Sequence, residues 1–548
     1  MNYTPLPVGI DNFEKLVTRG YYFIDKTMLV KELLDKKGDV NLFTRPRRFG
    51  KTLNMSMLQY FFEYARNDDG ERQDNSYLFE GLKIMDAGEQ YLSHMGQYPV
   101  INMTLKGGKQ ADYETAFLML KRQITDEYNR HLFILKDERL AEQKEQYLAI
   151  MRGQVAANEY NDALKFLSQC LEKYYGKKVI ILIDEYDVPL ENAYMRGFYE
   201  EMIDFIRSLF ESSLKTNSSL EFAVITGCLR ISKESIFTGM NNLKIISILS
   251  KQYDEYFGFT NEEVLALCEK NDEIKFSELE SWYNGYLTTK GKKLYNPRSV
   301  IKALQNGYCE SYWTNTGAMD EVTDYLKYNT LEIREDVIEM VSGEEVDIFI
   351  DEEFRAGQRE PRTKEEIYSA MIILGFLSYH DGYLRIPNRE LMKEFEKALK
   401  DESFGEVSRI IENSRKMLKA TVNGDIKTVE KILHDIHNSE IPILQYNDEN
   451  SLSCVLTLAY LSARDTYRVE REEKTGKGYA DFAFHPRRKR DMAFIVELKK
   501  DENVDVALKQ IKEKEYVQKF KNENNEVLAV AICYDSKLKE HKCKIEKI

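Results

Sequence analysis

Short apolar runs mark the strands of the first half of the chain. Asp39 to Phe43 (DVNLF), Tyr98 to Met103 (YPVINM), Lys177 to Ile183 (KKVIILI) and Glu221 to Ile225 each read as one. The third lacks polar alternation, which predicts a parallel sheet covered on both faces. After the first run come TRPRRFGKT and then LNMSMLQYFFEYA, whose apolar spacing is helical, so a strand, a loop and a helix surround Gly50-Lys51-Thr52. From Asn261 to Asn450 the pattern is mainly helical, punctuated by WYNGY (282–286), YNPRS (295–299) and YWTNTG (312–317). Ile367 to Leu377 followed by SYHDGYLRIP predicts a helix and a hairpin turning at Asp381-Gly382, a winged-helix pattern. After a helix at 450–463, strands at Tyr479 to Phe484, Ala493 to Leu498 and Val527 to Cys533 enclose a helix from Val504 to Lys519. This predicts a small α/β domain with its own sheet.

Length changes this picture only by dividing it. At roughly 100–200 residues per domain, 548 residues make several domains, with boundaries expected at 1–260, 261–440 and 441–548. The aliphatic runs, such as Val179 to Ile183, are far below the ~18 residues of a membrane span. The amino terminus shows no basic segment leading into an apolar one, so no export signal and no membrane are expected. The 7 cysteines are scattered without a C-x-x-C pair, which predicts a reducing, cytoplasmic setting rather than disulfides or a zinc site. His434 and His437 lack a second pair of ligands and read as solvated surface. A net charge of −14 excludes a uniformly basic nucleic-acid binder and leaves a local basic groove open.

The first candidate site is a phosphate cradle. A nucleoside triphosphate needs backbone N–H groups at a helix N-terminus, a lysine at its outer phosphates, and a hydroxyl with a carboxylate to hold Mg²⁺. Arg45, Arg48, Phe49 and Gly50 form the loop, Lys51 supplies the cation and Thr52 the hydroxyl. Asp184 ends an aliphatic strand, where parallel-sheet geometry carries it toward that metal. Glu185 would polarise the attacking water, Thr226 would sense the outer phosphate, and Arg230 would reach it in cis or, in a homo-oligomer, in trans. Arg45 stands where the first glycine of G-x-x-x-x-G-K-[ST] is expected, so a cradle that binds an anion or nucleotide without turnover is the bland alternative.

The second is a set of carboxylates with a lysine. In Glu497-Leu498-Lys499 period-two geometry puts the acid and the amine on one face, opposite Val496 and Leu498. The connection from His485 to Arg490 pairs this strand with the one carrying Asp481, bringing Asp481 close to Glu497. Such carboxylates suit Mg²⁺ or Mn²⁺, which would acidify a bound water beside a phosphodiester, with Lys499 orienting the nucleophile. Glu449 is a third acid, with Glu472 and Glu473 as competitors, and Gln510 on the following helix would touch the nucleophile or the DNA backbone. The ordinary alternative is a solvated sheet face. Residues 466–500 carry 10 Lys/Arg against 6 Asp/Glu, and Arg487, Arg488, Lys489 and Arg490 at a turn tip would meet phosphates or only water.

These residues resemble a known family of bacterial proteins that join an amino-terminal AAA-ATPase-like domain to a carboxy-terminal PD-(D/E)XK nuclease domain. The resemblance rests on FIDKT (23–27), TRPRRFGKT (44–52), LIDEYD (182–187), ITGCLRISKESIFTGMNNL (225–243), WYNGY and YNPRS. Further on it rests on LRIPNRE (384–390), NDENSLSCVLTLAY (447–460), GKGYADFAF (476–484), IVELK (495–499) and ALKQIKEKEY (507–516). It implies an α/β multidomain chain: a P-loop NTPase core, a helical or winged-helix middle region and a restriction-endonuclease-like end domain. By it Lys51, Thr52, Asp184 and Glu185 match the ATPase motifs, and Asp481, Glu497 and Lys499 match the nuclease D…E-x-K. The expected function is an ATP-dependent, Mg²⁺-requiring nuclease acting on DNA, with nucleotide state gating cleavage. The alternative is a nucleotide-switch signalling ATPase whose last domain only recognises nucleic acid.

Overall fold

The computed structural model describes residues 4–548 apart from 68–69, 229–235, 238, 272, 314–331, 351–362, 399–405, 438–454, 461, 464–465, 476–477, 487–490 and 514–525. Two compact units emerge: residues 1–329 with 347–393, and residues 330–346 with 394–548. No helix among the described residues is long and apolar enough to cross a membrane.

The first unit is built on a five-stranded parallel sheet: β1 (Val40–Thr44), β2 (Val100–Thr104), β3 (Val179–Asp184), β4 (Leu220–Gly227) and β5 (Leu243–Ile246), ordered β2-β3-β4-β1-β5. Every residue of β1 and β3 is buried, as a sheet covered on both faces requires. The apolar runs marked the first four strands, while β5 was not foreseen. Helix α1 (Lys51–Phe62) follows β1 and buries Met55, Leu58, Phe61 and Phe62, the i, i+3, i+4 face that its spacing predicts. Helix Lys364–Leu374 and the hairpin of Ser378–His380 with Tyr383–Arg385 are present. Asp381 and Gly382 turn the hairpin with φ of 50° and 91°, the left-handed pair a two-residue hairpin loop needs.

The second unit holds a five-stranded mixed sheet: β6 (Tyr467–Thr475), β7 (Gly478–Pro486), β8 (Ala493–Lys500), β9 (Val527–Asp535) and β10 (Glu540–Lys547), in that order. The edge strands β6 and β10 were not foreseen. Strands β8 and β9 are parallel and the other neighbours antiparallel, so the β8–β9 connection crosses over through helix α2 (Val504–Glu513). Alternation divides the faces. Ala483, Ala493, Ile495, Ala529 and Ala531 pack under Leu508 and Ile511 of α2. On the other face Phe484 and Phe494 stack at 4.0 Å, with Tyr460 and Tyr467 against them.

His437 departs from the solvated reading. Its ring stacks on Tyr534 at 4.4 Å and lies 5.0 Å from His541, because the apolar face of helix Ile426–His437 packs on β10.

Candidate functional site

Strand order builds the first site. In parallel strands all carboxyl ends reach one edge of the sheet. Strand β4 lies between β1 and β3 in register, with Phe43 beside Thr226 and Ile183 beside Ile225. Thr226 therefore stands between the loop after β1 and Asp184 at the end of β3. Both hydroxyls converge on that carboxylate: Thr52 Oγ1 donates to Asp184 Oδ2 at 2.6 Å, and Thr226 Oγ1 donates to Oδ1. Asp184 is 4% exposed, so these donors replace the water a buried carboxylate would otherwise lose.

The loop is shaped by two left-handed residues, Arg48 (φ 70°) and Gly50 (φ 83°), the second capping α1. Successive N–H groups at such a turn and helix start form an anion cradle. Lys51 Nζ donates to the carbonyls of Arg45 and Pro46 at 2.9 and 3.0 Å and lies 3.3 Å from Cys228 Sγ. Burial raises the Cys228 thiol to about 11, against the opposing pull of Lys51, so the thiol is protonated at neutral pH.

Arg45 and Phe49 are placed elsewhere than the phosphate rim. The Arg45 guanidinium is buried and donates to the carbonyls of Thr44, Ile246 and Tyr253 at 3.0, 2.7 and 3.2 Å. Burial lowers it to about 9, with Asp254 acting in the opposite sense. Where a small residue was expected, Arg45 thus ties the loop to β5 and the segment after it. The Phe49 ring is buried edge-on against Tyr286 at 5.0 Å, leaving only its backbone to the loop.

Glu185 is held with φ of 53°, a backbone state that costs about 1–3 kcal/mol and persists only where surroundings impose it. Here Tyr186 N donates to Thr226 O at 3.1 Å and locks the turn. Burial first, and the Asp184 charge next, raise the Glu185 carboxyl, while Lys106 and Lys51 oppose them.

A further cation, Arg298, comes near the loop: Asn296, two residues before it, approaches the carbonyl of Arg47 at 3.5 Å. Asn296 caps helix Pro297–Asn306, accepting from Arg298 N and Ser299 N, and Arg298 sits in its first turn. Arg298 Nε is buried without a hydrogen-bond partner among the described residues. Burial, then the charge of Arg48, lower its guanidinium. The Asn-Pro pair signals a helix start in the sequence, but nothing there places that start at the phosphate loop.

In the second unit β7 pairs antiparallel with β8, Phe482 opposite Val496, which sets Asp481 and Glu497 side by side. Asp481 Oδ2 accepts from Leu498 N at 2.7 Å. Glu497 falls on the face covered by α2 and is 1% exposed, so the solvated alternative does not hold for it. Its Oε1 accepts from Gln510 Nε2 on α2 and lies 3.5 Å from Lys499 Nζ, whose side chain is 22% exposed. Among the described residues no three His, Cys, Asp or Glu cluster for a metal. Two carboxylates remain, a set that fits Mg²⁺, which completes its shell with water and phosphate oxygens. Arg230, Glu449 and residues 487–490 lie outside the described residues, as do the side chains of Glu472 and Glu473.

Residues 7–237 match the AAA-ATPase-like family model, that of a predicted AAA-ATPase. Residues 447–544 match the model of the PD-(D/E)XK nuclease superfamily. Among curated proteins, an uncharacterized protein in the vnfD 5′ region of Azotobacter chroococcum mcd 1 is similar, 28% identical over 331 residues. The match covers 60% of this chain and 57% of that relative's length. Among solved structures, a Walker-type ATPase of Pyrococcus abyssi is similar with a TM-score of 0.32 and 13% identity, over 72% of this chain and 99% of that one.

Proposed function

From a chain that joins an AAA-ATPase-like domain to a carboxy-terminal PD-(D/E)XK nuclease-superfamily domain, we propose an ATP-dependent, Mg²⁺-requiring nuclease of DNA whose nucleotide state gates cleavage. The observation that carries the reading is the convergence of Thr52 and Thr226 on Asp184 at the mouth of the Arg48–Gly50 turn. Loop N–H groups and Lys51 would bind the phosphates, releasing Lys51 from the carbonyls of Arg45 and Pro46. Thr52 and Asp184 would hold Mg²⁺, and Glu185, with its raised carboxyl, would take the proton from the attacking water. Arg48 and Arg298, whose like charges oppose each other, would share the outer phosphate charge.

In the second unit Asp481 and Glu497 would hold the divalent cation, Gln510 and Lys499 would keep the Glu497 carboxylate oriented, and Lys499 would face the scissile phosphate. A bound Mg²⁺ or Mn²⁺ supplies positive charge and a more acidic water there. DNA as substrate, a cytoplasmic setting and a homo-oligomer complete the reading.

The test is incubation of the purified protein with circular and linear DNA plus Mg²⁺, with and without ATP, beside Lys51→Ala and Glu497→Ala variants. Cleavage that disappears in Glu497→Ala and changes in Lys51→Ala supports the reading. ATP binding without cleavage under any condition replaces it with a nucleotide switch whose last domain only recognises nucleic acid.

A further inference from the structure

In the first unit two short motifs of the middle region, WYNGY and YNPRS, reach the phosphate loop, and a third, LRIPNRE, is tied to the second of them. The first thread starts at Phe49, whose ring meets Tyr286 of WYNGY edge-on at 5.0 Å. Tyr286 Oη donates to the carbonyl of Gly375 at 2.9 Å, where helix Lys364–Leu374 ends. Pro46 of the loop backs onto the same glycine: a Cβ on Gly375, at φ of 84°, would lie 2.5 Å from Pro46 Cβ. The second thread starts at the carbonyl of Arg47, which Asn296 Nδ2 of YNPRS approaches at 3.5 Å. Ser299 Oγ, on the helix that Asn296 caps, donates to Glu390 Oε2 at 2.8 Å, and Glu390 Oε1 accepts from Trp313 N at 2.6 Å. The Trp313 ring stacks on Phe376 at 5.7 Å, which closes the two threads on each other beside Gly375. Glu390 of LRIPNRE is 1% exposed and lies in the first turn of helix Arg389–Ala398, on which the chain passes out of the first unit.

We propose that these two threads couple the phosphate loop to helix Arg389–Ala398, so that nucleotide occupancy changes the state of that helix. The inference rests on the ATP-binding reading and names the residues through which gating travels. A loop that closes on phosphate must move residues 46–50, and the contacts leave that movement little slack. The Phe49 ring is walled by Gly258, where a Cβ would stand 3.1 Å from it, and no atom fits between Pro46 and Gly375. Close-packed contacts of this kind shift together or exchange one arrangement for another.

The experiment is hydrogen–deuterium exchange on the full chain, with and without Mg²⁺ and a non-hydrolysable ATP analogue, alongside a fluorescent-nucleotide affinity measurement. Wild type is compared with Lys51→Ala, Ser299→Ala and Tyr286→Phe, the last two removing one hydroxyl each. Nucleotide is expected to change exchange in 364–374 and 389–398 by about fivefold or more, and Lys51→Ala to abolish the change. Ser299→Ala and Tyr286→Phe are expected to bind nucleotide within about threefold of wild type while losing the response at 389–398. Bound nucleotide with unaltered exchange over 364–398 overturns the coupling, as does a wild-type response in both hydroxyl variants. Absence of nucleotide binding in wild type appears in the affinity arm and defeats the ATP reading itself, with the coupling falling as its consequence.

Discussion

Thr52 Oγ1 donates to Asp184 Oδ2 at 2.6 Å, tying the first turn of α1 to the last residue of β3 across the intervening β4. With Mg²⁺ and nucleotide bound, both oxygens would turn to the cation. Thr52→Ala is therefore expected to weaken the Mg²⁺ dependence of ATP binding about 10–100-fold, with metal-free ADP binding changed far less. Fluorescent-nucleotide titrations over a Mg²⁺ series measure this, and an unshifted Mg²⁺ midpoint would remove Thr52 from the metal role.

Burial and the charge of Arg48 both disfavour the Arg298 guanidinium, and its buried Nε has no hydrogen-bond partner among the described residues. An anion between them would relieve both penalties. Arg298→Ala is expected to raise the Kd for ATP about tenfold, the order of one charge-assisted hydrogen bond, and that for AMP much less. Calorimetric titration with both nucleotides decides: equal losses for ATP and AMP would mean that Arg298 serves only the packing of its helix.

Gln510 donates to the carboxylate of Glu497. Glu497→Gln is expected to abolish metal-dependent cleavage, and Gln510→Ala to slow it about 10–100-fold by loosening a ligand rather than deleting one. Chelation should stop wild-type cleavage, and Mn²⁺ should restore it. A Gln510→Ala protein that cleaves at the wild-type rate would relegate the contact to packing.

His437 and His541 meet against Tyr534. Burial first, and then the neighbouring histidines, lower His541 from the ordinary 6.5 to about 3, and burial lowers His437 in the same direction. The unfolded chain therefore takes up protons below 6.5 that the folded unit refuses. Stability from this packing is complete above 6.5 and declines as pH falls from 6.5 toward 3, by at most about 1.4 kcal/mol per pH unit for each histidine. Urea midpoints of the second unit at pH 7.5 and 5.5 should show the loss, and His541→Phe should reduce it. Identical pH dependence in the variant would mean that other groups govern the acid response.

Much of this was legible along the chain because the relevant periods are local. An unalternating run such as Val179–Asp184 declares a strand buried on both faces, and Gly50 before an apolar helical repeat declares a loop feeding a helix. The six residues between β7 and β8 were enough to bring Asp481 beside Glu497. Less was readable where an element has little apolar signature. Strand β6, Tyr467–Thr475, is mostly charged, and β5 is only four residues long; both exist because a neighbouring strand offers them hydrogen bonds.

By itself, then, the sequence determined the strands and helices that carry an apolar period, since side-chain periodicity is a property of the chain, and it singled out Lys51, Thr52, Asp184 and Glu497 by their spacing within those elements. Tertiary structure alone decided which strand stands between two others, and so that Thr226 shares Asp184 with Thr52. It alone turned Arg45 and Phe49 into the interior and brought Asn296 to the carbonyl of Arg47, 249 positions away in sequence. Such contacts follow from the packing of whole elements, whose partners are chosen by burial and register across the fold, and no local pattern records that choice.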